Sequence, residues 1–171
     1  MFNLGQIKKL KTNQAGFSLI ELTIYIAILV ILMVITVDLS ISATEVSLEA
    51  KGRNILEEDG RFILQRLTYD IRRSSQIVTP TNLGDSSQRL ELRINNQTYT
   101  YQLNSANLDL TFVNSTNNLN SPETLVKNLS FQKVGNSGGL STVKINFTLE
   151  SKVGTKTRKE EKSYTTAVSL R

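Results

Sequence analysis

The chain has no cysteine, no histidine and no tryptophan in 171 residues. Without cysteine there is no disulfide framework, no thiolate-ligated zinc or iron–sulfur site and no thiol nucleophile. Without histidine the commonest general base, the Ser-His-Asp triad and imidazole metal sites all disappear. Proline occurs only twice, first at Pro80, so nothing in the first 79 residues forbids an uninterrupted helix. The hydrophobic share of 39% excludes a disordered or collagen-like chain, and the length suits one ordinary domain. These absences disfavour most enzyme chemistry, and we expect no catalytic residues, no cofactor and no metal site.

The net charge of +5 is unevenly distributed. Lys8, Lys9 and Lys11 lie in the first 16 residues, which hold no acid; without them 17 basic side chains face 15 acidic ones. A balance this even gives little reason to expect the basic stripe that nucleic-acid binders show, so nucleic acid is not an expected partner.

Residues 17–37 read FSLIELTIYIAILVILMVITV, an apolar run with a single charged group, Glu21. As a helix it would span ~30 Å, the hydrocarbon thickness of a bilayer. Its many β-branched residues are tolerated because lipid forces every backbone polar group to be satisfied within the segment. Asp38 marks the return to water, and the preceding lysines put the N-terminal side in the cytoplasm. Four readings fit such a run: a secretory signal peptide, with Ser42-Ala43 the nearest cleavage candidate, a plain anchor, a buried core helix, and a fourth that Glu21 suggests.

A carboxylate early in a membrane helix is costly unless it sits at headgroup depth or finds a positive partner. Cutting the chain after Gly16 would supply one. The new α-amine on Phe17 would lie four residues from Glu21, and between neighbouring helices the amine of one subunit could pair with the Glu21 of another.

The stretch from Lys8-Lys9-Leu10-Lys11 to Gly16-Phe17-Ser18-Leu19-Ile20-Glu21 resembles the class III signal of type IV prepilins and type II secretion pseudopilins. The resemblance implies a basic leader (1–16) that prepilin peptidase cleaves between Gly16 and Phe17, N-methylation of Phe17, and Glu21 as the assembly carboxylate. It implies a subunit anchored once in the bacterial inner membrane, head outside the cytoplasm, that joins other pilins through its helix in a pilus or pseudopilus. The mature position where major pilins commonly carry proline holds Asp38 here, which leans toward a minor pilin or pseudopilin. A DNA-binding minor pilin of a competence pilus is the alternative.

Beyond the apolar run, Leu48, Gly52, Ile55/Leu56, Phe62/Ile63, Leu67 and Ile71 recur at helical spacing among charged residues. This predicts an amphipathic continuation over 38–75, with Glu57–Arg61 as an i,i+4 pair. Gly52 and Gly60 are either weak points or sites of close packing. After Ile77 the period changes to two. Leu90/Leu92/Ile94, Tyr99/Tyr101/Leu103 and Leu108/Leu110/Phe112 read as strands, the first two joined by an Asn95-Asn96 turn. Residues 111–123 read as a loop, Leu129–Lys133 as a short strand, Gly135–Gly139 as a turn, Val143–Leu149 as a strand, 152–162 as a charged turn, and Tyr164–Leu170 as the last strand. The expected architecture is α+β and pilin-like: a transmembrane helix (17–37), its amphipathic continuation (38–75), and an antiparallel β-sheet head (76–171) covering the apolar stripe. Leu64–Ser75 and Tyr164–Arg171 resemble the J-type minor pseudopilins and the W-type minor pilins.

Three other features are weaker. Asp85 and Asp109 could donate oxygens to calcium but belong to no dense carboxylate cluster. Arg72-Arg73 and the 152–162 run could touch DNA or lipid headgroups, though a solvated surface is the favoured reading. Tyr99-Thr100-Tyr101 could present aromatics to a partner or simply form a sheet face.

Overall fold

The computed structural model describes residues 16–136, 138–154 and 159–171. The leader up to residue 15, with Lys8, Lys9 and Lys11, lies outside the described residues, as do Ser137 of the glycine-rich turn and residues 155–158 of the charged turn. One helix, α1 (Leu19–Arg73), is followed by nine strands: β1 (Gln76–Thr79), β2 (Ser86–Ser87), β3 (Arg89–Ile94), β4 (Gln97–Asn104), β5 (Asn107–Phe112), β6 (Ser115–Asn118), β7 (Thr124–Val134), β8 (Thr142–Ser151) and β9 (Glu161–Ser169). The chain is therefore α+β, with a long N-terminal helix followed by antiparallel sheets. It divides into two compact units, one ending at Ser42 and one spanning Ala43–Arg171.

In the first unit the helix is long and apolar enough to cross a membrane. Its large side chains are exposed throughout. Its hydroxyls turn inward on the backbone: Thr23 Oγ1 donates to the Ile20 carbonyl at 2.8 Å, Thr36 to Leu32 at 2.7 Å, and Ser40 to Thr36 at 2.9 Å. A hydroxyl that satisfies itself this way needs no water, as an apolar surrounding demands.

The second unit packs the rest of α1 against two sheets. Leu56, Ile63, Leu67 and Ile71 form the buried helix face, at the spacings of seven and four that put them on one side. Of the predicted stripe, Leu48 and Phe62 depart: they are 36% and 52% exposed. Asp59 and Asp70 are buried on the same face instead. α1 stops where Ser74 Oγ donates to the Ile71 carbonyl at 2.7 Å, and Arg72 and Arg73 in the last turn complement the helix dipole.

The strands form two sheets rather than the single one expected. The first has the order β1-β3-β4-β5-β6 and the second β2-β7-β8-β9. The first is a meander of tight hairpins. Asn95-Asn96, Ser105-Ala106 and Val113-Asn114 each have positive φ at both residues, the requirement of a type I′ turn. Asn95-Asn96 is the turn expected. The third turn leads into β6, which corrects the reading of 111–123 as loop: Phe112 pairs with Ser115 and Asp109 with Asn118. β6 is exposed at every position, so it has no apolar alternation to reveal it. β7 is longer than the short strand expected, with an irregular register between Lys127 and Ser130 where Asn128 takes φ 51°. β9 begins at Glu161, so the charged turn is shorter than predicted.

Both sheets share one core with the helix. Leu90, Leu92, Tyr101 and Leu108 come from the first sheet, Phe131, Val143, Ile145, Phe147 and Leu149 from the second. Burying each such side chain is worth ~1.5–3 kcal/mol. Both glycines in question are close-packing sites. A Cβ on Gly52 would lie 2.8 Å from the Val153 carbonyl oxygen, and one on Gly60 would lie 2.1 Å from Tyr164 Cζ.

Candidate functional site

The residues singled out at the N-terminus fall within one short segment. Gly16, Phe17 and Ser18 have no regular secondary structure, and the helix begins at Leu19. The Ser18 carbonyl accepts the Leu22 N–H at 3.1 Å, the place of an N-cap residue. The Gly16–Phe17 peptide bond therefore precedes the helical ladder. A Cβ built on Gly16 meets nothing within 4 Å, and Phe17 is 79% exposed. Among the described residues nothing covers this bond.

Glu21 lies in the first turn, where the positive end of the helix dipole favours a carboxylate. It is half-buried, unlike its apolar neighbours. Tyr25, one turn on, donates its hydroxyl to Glu21 Oε1 at 3.1 Å. Sequence reasoning passed over Tyr25, although its i,i+4 spacing from Glu21 was available as a signal. One carboxylate oxygen thus has a partner in its own helix, leaving the other to accept a further donor.

Elsewhere the candidate residues do not converge. Asp85 is exposed in the loop before β2, where Asn82 Nδ2 donates to it at 2.9 Å. Asp109 sits in β5 of the other sheet, nearly buried, and accepts from Asn104 Nδ2 at 3.1 Å. Among the described residues no three carboxylates come together in a way that would hold a metal ion. Tyr99 stacks on Phe112 at a centroid distance of 5.4 Å, and Tyr101 is fully buried. Both tyrosines thus serve the packing of the sheet. Arg73 is occupied, its guanidinium 4.7 Å from the Tyr69 ring centre and 3.0 Å from Asp70 Oδ1. Around the charged turn, Lys127 and Lys159 both donate to Glu150, and Arg53 Nε donates to Glu160 Oε2 at 3.2 Å. The expected Glu57–Arg61 pair is present at 3.2 Å, and Lys162 joins it from β9 at 3.0 Å.

Residues 11–37 match the family model of the prokaryotic N-terminal methylation motif. The matched span contains Gly16, Phe17, Glu21 and the whole apolar run 17–37. It supports a type IV pilin-like class III signal, and with it a pilin or pseudopilin that prepilin peptidase processes and that assembles with other pilins. The motif and the apolar helix fit a chain anchored in the inner membrane. No curated protein and no solved structure matches the chain.

Proposed function

We propose that this chain is a minor pilin or pseudopilin, a structural subunit of a type II secretion pseudopilus or type IV pilus, at its tip or in its priming complex. The observation that carries the reading is the methylation-motif match over residues 11–37 across the Gly16–Phe17 bond, ahead of a membrane-length helix. In this reading residues 1–16 are a cleaved cytoplasmic leader, 17–37 the membrane helix, 38–75 its amphipathic continuation, and 76–171 the head outside the cytoplasm. Prepilin peptidase cuts after Gly16 and the new Phe17 amine is methylated. Glu21 then neutralises that amine on a neighbouring subunit, which sets the axial stagger between helices. The J-type minor pseudopilins and W-type minor pilins are the nearest subtypes by the flavour of Leu64–Ser75 and the final strand.

Intact-mass spectrometry of the chain co-expressed with a prepilin peptidase tests this. The mature protein should begin at Phe17 with one added methyl group, and Gly16→Val should remain at full length. A wild-type chain still beginning at Met1, or cut near Ala43, would refute the assignment. Glu21→Ala should be processed and inserted normally but be depleted from filaments; its incorporation at wild-type level would remove the ion pair from the proposal.

A further inference from the structure

The seam between the last turns of α1 and the end of β9 is an open groove of about 850 Å³. Helix and strand run side by side. Tyr164 Oη of β9 donates to the Leu56 carbonyl at 2.7 Å, and further along, residues 64–73 face 169–171 across the groove. Its floor is apolar, formed by Leu64 and Leu170, both only partly buried against the core. Tyr69, 58% exposed, stands at its wall. Among the described residues β9 pairs with β8 alone, so where it reaches the groove at Ser169 its other edge has no strand partner.

The rim is cationic. Arg72, Arg73 and Arg171 line it. The carboxylate nearest in the helix, Asp70, is fully buried and already shared by Arg66 and Arg73. Among the described residues Arg72 has no carboxylate partner. An apolar floor, a free strand edge and an unneutralised guanidinium together fit one kind of occupant. The geometry points to an interaction surface for an acidic, extended segment of a partner chain. The segment adds its backbone beside β9, seats alternate apolar side chains on Leu64 and Leu170, and sets its carboxylates on Arg72 and Arg171. The surface lies in the second unit, so it stands apart from the processing of the N-terminus.

The test uses the full chain in detergent micelles and a fluorescein-labelled peptide of alternating Glu and Leu. Two twins serve as controls, one with Lys for Glu and one with N-methylated backbone amides. Saturable binding of the acidic peptide is expected, at least tenfold weaker for each twin. Arg72→Glu and Thr68→Glu, both at the groove, should each weaken it at least tenfold. Lys144→Glu, an equal charge change on the exposed side of β8, should leave it unchanged. Absence of saturable binding, or equal binding by the Arg72→Glu and Lys144→Glu chains, would overturn the proposal. So would binding of phosphatidylglycerol vesicles or duplex DNA through Arg72 in place of the peptide, which would make the surface a general anion patch.

Discussion

Gly60 of the helix lies directly against the ring of Tyr164 in β9, so close that a Cβ at residue 60 would stand 2.1 Å from Tyr164 Cζ. The ring is held from two sides. It stacks on Phe147 at a centroid distance of 5.1 Å, and its hydroxyl is tied to the Leu56 carbonyl one turn earlier in the same helix. Burial, with the nearby Glu57 charge, pushes the pKa of that hydroxyl up, so it remains a donor.

Gly60→Ala should therefore destabilise the protein even though alanine is the better helix former. Overpacking of this kind costs ~1–3 kcal/mol, against a gain of ~1 kcal/mol in helix propensity. Urea unfolding of the chain in detergent, followed by circular dichroism, should show the net loss. The Gly60→Ala, Tyr164→Ala pair should cost less than the sum of its parts, since the smaller side chain at 164 vacates the space. Strict additivity would mean that the two residues do not meet.

The buried carboxylate of Asp70 joins the helix to the first sheet. It accepts from the Tyr101 hydroxyl and from Arg66 Nε at 2.9 Å, while Arg73 Nη2 lies 3.0 Å from Oδ1, an ion pair without hydrogen-bond alignment. Burial first, then the bond to Asp70, raises the Tyr101 pKa far above its ordinary 10, so the phenol stays protonated across the usable pH range. Asp70→Ala leaves the buried Tyr101 hydroxyl without its acceptor, and two partly exposed guanidiniums without their counter-ion, and should cost ~1–3 kcal/mol. Tyr101→Phe removes one donor and should cost ~1–3 kcal/mol. Denaturant titration of both single variants and the double variant should give a coupling energy well above zero.

Glu150 predicts an acid-sensitive head. Hydrogen bonds from Lys127 and Lys159 hold its carboxyl pKa down, from an ordinary 4.5 to about 2. The folded state therefore binds fewer protons than the unfolded one in that interval. The stabilisation from this cluster is complete above pH 4.5 and is lost as the pH falls toward about 2. Glu57, depressed by its bond from Lys162, adds to the same acid limb. Lys127→Met should shift the Glu150 pKa back up and flatten the fall in stability between these limits, measured as unfolding midpoints in urea at a series of pH values. An unchanged slope would show that the cluster is too well hydrated to matter.

Local pattern made much of this protein legible. The long helix follows from the absence of proline and from apolar spacing. Strands β3, β4, β5, β8 and β9 follow from alternation, and the Gly16–Phe17–Glu21 signal from a fixed order of residues. Each of these is encoded within a few neighbouring positions, where side-chain period and turn chemistry act directly. The strands that went unread or were cut short carry no such period: β6 is Ser-Thr-Asn-Asn, and β7 passes through an irregular register.

What only the tertiary structure decided are the long-range partnerships. The division into two sheets rests on pairings such as Ser86 with Gln132, which no local pattern announces. The same holds for Asp59, whose carboxylate takes the Thr124 hydroxyl at 2.5 Å and the Ser121 N–H at 2.9 Å from the far side of the head. In sequence nothing marks Asp59 and Asp70 as buried, and Gly60 is either a weak point or a site of close packing. They belong to the core because the chain folds back to supply a donor for each carboxylate and a ring for the missing side chain. A buried polar group is stable only with its partner in place.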